Sequence, residues 1–175
     1  ISDILLSNNY VKIILILIAL IVAHLLVNFF RKEKEIKPRF DALTNLPTKE
    51  HLSQGFDKII RANQSLCLIF VDIDNLEHQE ASDILLIVAK LLQTELREQD
   101  TLYRWNDEGF AIMLPKTDMK IAQQFSEKVR AQIAHHQIVI DDRLMAVTVS
   151  IGLTYSNGSE SLKRVISYAD EALYQ

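Results

Sequence analysis

The chain has 175 residues, of which 49% are hydrophobic and 24% charged, and carries a formal net charge of −4. That length holds one globular domain plus an appendage, and an acidic chain with no basic block outside the segment after Phe30 excludes a nucleic-acid surface. Its single cysteine, Cys67, excludes an intramolecular disulfide and a cysteine metal site. Cys67 lies inside an apolar run and is read as a buried, reduced thiol in the cytosol.

Residues 1–10 precede an apolar run, Ile13 to Phe30, broken only by His24 and Asn28. With Val11 the run reaches spanning length if slightly tilted, so residues 11–30 are expected to form one transmembrane helix. Lys12 precedes the run, and Arg31, Lys32, Lys34, Lys37 and Arg39 follow it. This charge order argues against a signal peptide. By the positive-inside rule it places residues 1–10 outside the cytoplasm and everything after Phe30 inside, a single pass through the cytoplasmic (inner) membrane. His24 and Asn28 share a helix face and can hydrogen-bond across a dimer of such helices. Residues 31–39, RKEKEIKPR, form a charged connector in which Glu33 and Lys37 are spaced for a helical pair until Pro38 interrupts. Ile36 is its only apolar position, so no coiled-coil pattern is present.

Pro47 and Thr48 open a helix that buries Leu52, Phe56, Ile59 and Ile60. Ser65 to Asp72, SLCLIFVD, is a continuous apolar run and the expected central strand, buried on both faces. Ser82 is the expected cap of a helix with Ile84, Ile87, Val88, Leu91 and Leu92 inward. Two apolar half-strands, Leu102 to Trp105 and Phe110 to Leu114, flank Asn106, Asp107, Glu108 and Gly109. They predict a β-hairpin with an acidic tip, closed by a type I turn and a left-handed glycine bulge. Thr117 or Asp118 opens the next helix, with Ile121, Ala122, Phe125, Val129 and Ile133 inward. Asp141-Asp142 makes a turn, and Val147 to Thr154 alternates as a half-buried strand. Ser159 is the expected cap of the last helix, which buries Leu162, Val165, Ile166, Ala169 and Leu173. The fold class is α/β, a mainly antiparallel central sheet flanked by helices.

In frame around the hairpin stand DALTNLP (41–47), the run ending in Asp72-Ile73-Asp74, VTVSIG (147–152) and ADEALY (169–174). Together they resemble the GGDEF domain family, the diguanylate cyclases that condense two GTP molecules into cyclic di-GMP, over residues 40–175. The resemblance implies a nucleotide-cyclase-like fold with metal ions between the first Asp after the central strand, here Asp72, and the third signature position, here Glu108. The signature itself departs: Asn106-Asp107-Glu108-Gly109-Phe110 stands where the family has Gly-Gly-Asp/Glu-Glu-Phe. The fourth position, a glutamate beside the metal and the attacking hydroxyl, is Gly109. The second, a glycine over which the phosphates pass, is Asp107, and a carboxylate there costs roughly 1 to 4 kcal/mol against phosphate oxygens. The stretch from Asp74 through Asn75, Leu76, Glu77 and His78 to Ser82-Asp83 is several residues shorter than the family's, so the Asn that reads guanine has no counterpart. Asp83 is the base-binding remnant. These departures imply no useful cyclase activity and no required cofactor, with Mg²⁺ needed only by an active cyclase.

Arg97-Glu98-Gln99-Asp100 fits the family's RxxD inhibitory site, which binds cyclic di-GMP. Arg97 can donate a fork to guanine O6 and N7 while Asp100 accepts from the amino edge, and Lys128 or Arg130 can add a second cation. The same pair also suits a surface salt bridge of little energetic weight. The expected function is a membrane-anchored, catalytically inactive GGDEF domain that acts as a cyclic di-GMP receptor or signalling module. The alternatives are an active diguanylate cyclase and a docking domain in a membrane complex. The expected partners are cyclic di-GMP, the membrane, and a second copy or a membrane-complex protein, with no nucleic acid.

Overall fold

The structure is a computed structural model that describes residues 2–32, 39–76 and 80–174, the side chains of its first helix only over 10–26. It divides into two units, 1–37 and 38–175. The first unit contains α1 (Ser2–Lys32), whose described side chains are all exposed. The expected span over 11–30 is thus helical. Among the described residues, however, no helix is long and apolar enough to cross a membrane. Part of the expected span, the side chains of 27–30 including Asn28, lies outside the described residues, as do connector residues 33–38 with the expected Glu33–Lys37 pair.

The second unit is an α/β domain with α2 (Lys49–Arg61), β1 (Leu66–Ile73), α3 (Ala81–Glu95), β2 (Thr101–Arg104) and β3 (Gly109–Pro115). These are followed by α4 (Met119–His135), β4 (Ile138–Ile140), β5 (Arg143–Met145), β6 (Val149–Ser156) and α5 (Leu162–Leu173). The main sheet runs β2-β3-β1-β6 and every neighbouring pair is antiparallel. The apolar run 65–72 becomes an interior strand covered on both faces, as is its neighbour β3. Cys67, Ile69, Val71 and Ile73 pack with residues of α3 and α4, while Leu66, Leu68 and Phe70 pack with residues of α2 and α5. The strand's period of two therefore produces a three-layer domain. Cys67 is fully buried, and burial pushes its thiol up to about 11, as expected of an inert structural thiol.

Several local expectations are corrected. The cap of α3 is Glu80, not Ser82: its carbonyl accepts from Ile84 N, and its buried carboxylate receives Arg143 Nη2 at 2.8 Å. The cap of α5 is Ser161, because Ser159 is turned back onto Asn157. Ile121 is exposed, since the buried stripe of α4 runs through Ala122, Ser126, Val129 and Ile133. Asp118 does cap α4, accepting from Ile121 N at 2.9 Å. Asp141 and Asp142 form the expected turn between β4 and β5, both with left-handed backbone (φ 48 and 60).

Candidate functional site

The centre of the site is the end of β1. Strand register sets Asp72 opposite Gly109 on one side and Ser150 on the other. The hairpin closes by Trp105 N donating to Gly109 O at 3.1 Å and Glu108 N donating to Asn106 Oδ1 at 3.0 Å. Ile73 N donates to Glu108 O at 3.0 Å, which ties the tip to β1. Trp105 stacks on Phe70 at 4.5 Å, and the Arg104 guanidinium lies 5.3 Å from the Phe110 ring centre with Nη2 donating to Asp107 O. Burial lowers the Arg104 pKa, while Asp41 and Asp107 oppose that shift.

The expected left-handed glycine bulge is not what Gly109 provides, since neither Asn106 nor Gly109 has a positive φ. Its missing side chain answers a close approach instead. A Cβ on Gly109 would stand 2.6 Å from Val71 O and 2.7 Å from Asp72 Oδ1. The space where a fourth-position side chain would begin is therefore filled by β1.

Asp72, Asp74 and Glu108 line one cavity of about 470 Å³ with Asn75, Thr148, Ser150 and Tyr174. Burial raises the Asp72 pKa, reinforced by the charges of Glu108, Asp74 and Asp170. Asp74 is already engaged, accepting from Thr148 Oγ1 at 2.6 Å and Ser150 Oγ at 2.7 Å. Asp74 and Asp170 were not singled out from the sequence; the Asp-x-Asp spacing and the ADEALY helix were the available signals. Asp83, the expected base-binding remnant, is exposed in the first turn of α3 and is absent from this cavity's described lining. Glu77 and His78 lie outside the described residues.

The described lining holds three carboxylates and no lysine or arginine. Mg²⁺ is commonly held by one or two carboxylates together with substrate phosphates, so Asp72 and Glu108 would need a triphosphate to complete the set. Among the described residues no group of three or more His, Cys, Asp or Glu side chains is placed to hold a metal ion. Among the described residues this lining therefore offers carboxylates to a metal ion and no cation to a triphosphate.

A raised carboxylate makes a pH prediction. The folded Asp72 holds a proton that the unfolded chain has already released, so its contribution to stability is complete below the unfolded value, about 4, and is lost as pH rises through the raised folded value. Asp72→Asn is therefore expected to be more stable than the wild type at pH 7, by about 1 kcal/mol or less since the group is partly solvated. Thermal melts should show the gap closing by pH 3; equal melting at pH 7 would refute the assignment.

The RxxD motif forms the turn after α3 rather than part of the helix, with Asp100 N donating to Arg97 O at 2.9 Å. Asp100 is only 2% exposed and receives Arg97 N, Nε and Nη2 at 2.9, 3.0 and 2.9 Å. Arg97 is 47% exposed, and its pKa is raised by the hydrogen bond to Asp100. In the free chain both Asp100 oxygens accept from Arg97, Oδ2 from N and Nε and Oδ1 from Nη2. Lys128 pairs with Glu95 at the end of α3, close to the turn in sequence. Arg130 pairs with Glu127 and lines a different cavity, against β6 and α5, so it does not join Arg97.

A family model described as "Diguanylate cyclase, GGDEF domain" matches residues 39–175. Diguanylate cyclase DgcP of Pseudomonas aeruginosa is 30% identical over 155 residues, covering 82% of this chain and 23% of that protein. Diguanylate cyclase VdcA of Vibrio cholerae is 32% identical over 148 residues, covering 78% of this chain and 43% of that protein. The chain thus spans less than half the length of these curated relatives. Diguanylate cyclase SiaD of P. aeruginosa, solved in complex with its activator SiaC, superposes with a TM-score of 0.73 at 27% identity over 99% of this chain and 72% of that chain. The GGDEF domain of DgcB from Caulobacter crescentus, solved in complex with c-di-GMP, superposes at 0.71 with 23% identity over 79% of this chain and 89% of that chain, which shows the shared fold.

Proposed function

Given that the chain belongs to the GGDEF domain family of diguanylate cyclases, we propose that it is a catalytically inactive member that holds cyclic di-GMP at its RxxD turn and relays occupancy as a signal. The observation that carries this reading is the contrast between two ends of β2. At one end Gly109 leaves no room or carboxylate for the fourth signature position, and Asp107 stands where the family has its second signature glycine. At the other, Arg97 is kept half-exposed and held in one orientation by a buried Asp100. A guanidinium fixed in advance loses less freedom on binding an anionic dinucleotide.

Calorimetric titration of the full chain with cyclic di-GMP tests it. Saturable binding is expected in the wild type and at least a tenfold loss in Arg97→Ala, the scale of one charge-assisted contact. No heat in the wild type, or an unchanged Arg97→Ala, rejects it. The competing reading is an active cyclase, favoured by the survival of Asp72 and Glu108 in one cavity. It requires product from GTP and Mg²⁺ that disappears in Asp72→Ala.

The reading includes an anchor: residues 11–30 hold the domain at the cytoplasmic face of the inner membrane, in a dimer or with a membrane-complex protein. The apolar run and the outward-facing apolar side chains from 10 to 26 support it. Recovery of the full chain in the soluble fraction without detergent would count against that anchor.

A further inference from the structure

Arg97 is held from two directions. The first is local: Asp100, three residues on, takes Nε at 3.0 Å and Nη2 at 2.9 Å. The second is remote: Nη2 also donates to Thr117 Oγ1 at 2.7 Å, twenty residues along the chain. Thr117 is 1% exposed and sits at the corner between β3 and α4. Its hydroxyl spends its one proton on Pro115 O at 3.1 Å, so the side facing Arg97 is an acceptor. Its carbonyl accepts from Cys67 Sγ at 3.3 Å, which fastens the corner to β1. The next residue, Asp118, caps α4. The two contacts differ in what they fix. Asp100 holds the guanidinium to its own turn, and Thr117 holds it to the sheet.

We infer that Thr117 is a ligand-positioning residue of the RxxD site, holding the Arg97 guanidinium so that its Nη1 edge is presented to the ligand. The inference rests on the cyclic di-GMP reading above. It also specifies the contact. Nε and Nη2 are committed to Asp100 and Thr117, which leaves the two N–H groups of Nη1. Each N–H of Nη1 can reach one acceptor oxygen, of a phosphate or a guanine O6, but one nitrogen cannot supply the two-nitrogen fork that spans O6 and N7. The open cavity of about 420 Å³ lined by Arg97, Glu98 and Gln99 is where such an oxygen would arrive.

The test uses the full chain in three forms: wild type, Thr117→Val and Thr117→Ser. Calorimetric titration with cyclic di-GMP is expected to give roughly 3- to 10-fold weaker binding in Thr117→Val, the cost of ordering one released side chain, and near wild-type binding in Thr117→Ser, which keeps the acceptor. Equal or tighter binding in Thr117→Val overturns the inference. The second readout needs no ligand: the Arg97 Nε–H resonance, assigned through Arg97→Lys, is expected to exchange slowly in the wild type and Thr117→Ser and faster in Thr117→Val. If the wild type binds no cyclic di-GMP, the receptor reading fails, and an Nε–H exchange rate unmoved by Thr117→Val then overturns the positioning role by itself. Should valine unfold the corner, Thr117→Ala makes the same comparison.

Discussion

Gly109→Glu, which restores the family's fourth signature residue, is expected to lower stability and to yield no cyclic di-GMP from GTP and Mg²⁺. Any side chain at 109 starts with a Cβ that would stand 2.6 Å from the carbonyl oxygen of Val71 and 2.7 Å from Asp72 Oδ1. The first of these is main chain of the central strand, hydrogen-bonded on both sides, and cannot swing aside as a surface side chain does. Relief requires β3 to slide away from β1 at the Asp72–Gly109 pair, where Ile73 N also holds Glu108 O. Overpacking of this kind costs about 1 to 3 kcal/mol, and a further carboxylate beside Asp72, Asp74 and Glu108 adds like-charge repulsion. The melting temperature should fall by roughly 5 to 15 °C. A Gly109→Glu protein that melts like the wild type and turns over GTP would refute both the crowding argument and the proposed inactivity. The glycine at 109 is thus built into the packing of the sheet, and a side chain placed there meets the backbone of β1.

Gly152→Ala is expected to cost more than the same change at Gly55. Gly152 lies at the middle of β6 opposite Phe70, and a Cβ there would run into the backbone of α5: the Ala169 carbonyl oxygen, Leu173 N at 2.5 Å and Leu173 Cα at 2.8 Å. Helix backbone cannot rotate away, so α5 must lift off the sheet. That helix buries Val165 and Ala169 and packs Leu162, Ile166 and Leu173 against the second core cluster. Losing its seat is expected to cost on the order of 3 kcal/mol or more, the upper range for overpacked sites, with the transition lowered by over 10 °C or no longer cooperative. Gly55→Ala is the control. There the nearest obstacle is a side chain, the hydroxyl end of the buried Tyr103, rather than helix backbone, so Gly55→Ala should cost less than Gly152→Ala. If the two variants melt alike, the close approach of α5 to β6 has been misread.

Both predictions concern positions that look unremarkable in one dimension. Gly109 reads as the closing residue of a hairpin, and the expectation of a left-handed bulge followed from its residue type alone. The backbone there is extended, and the requirement comes from Val71, thirty-eight positions earlier. Asp74 reads as the second acid of an Asp-x-Asp pair, yet it is claimed by Thr148, just before β6, and Ser150 within it. The RxxD motif was legible as a motif, while the occupation of Asp100 by its own arginine, and the hold of Thr117 on that arginine, were not. The helix caps misjudged at Ser82 and Ser159 failed for a related reason. A serine signals a cap by propensity, but Glu80 and Ser161 took the role once the chain's approach to each helix was set by packing.

By itself, the amino-acid order determined the succession of elements, the buried central strand, the hairpin with its acidic tip, the family, and the presence of Arg97 and Asp100 three residues apart. Those features are written in local periodicity and in residues adjacent along the chain, where a side chain's neighbours are known from spacing alone. Only the tertiary structure decided that β1 fills the space beside Gly109, that α5 rests on Gly152, and that Thr117 reaches Arg97. Each depends on strand register and helix approach between segments 17 or more residues apart, which close packing settles for the whole core at once and no short stretch specifies.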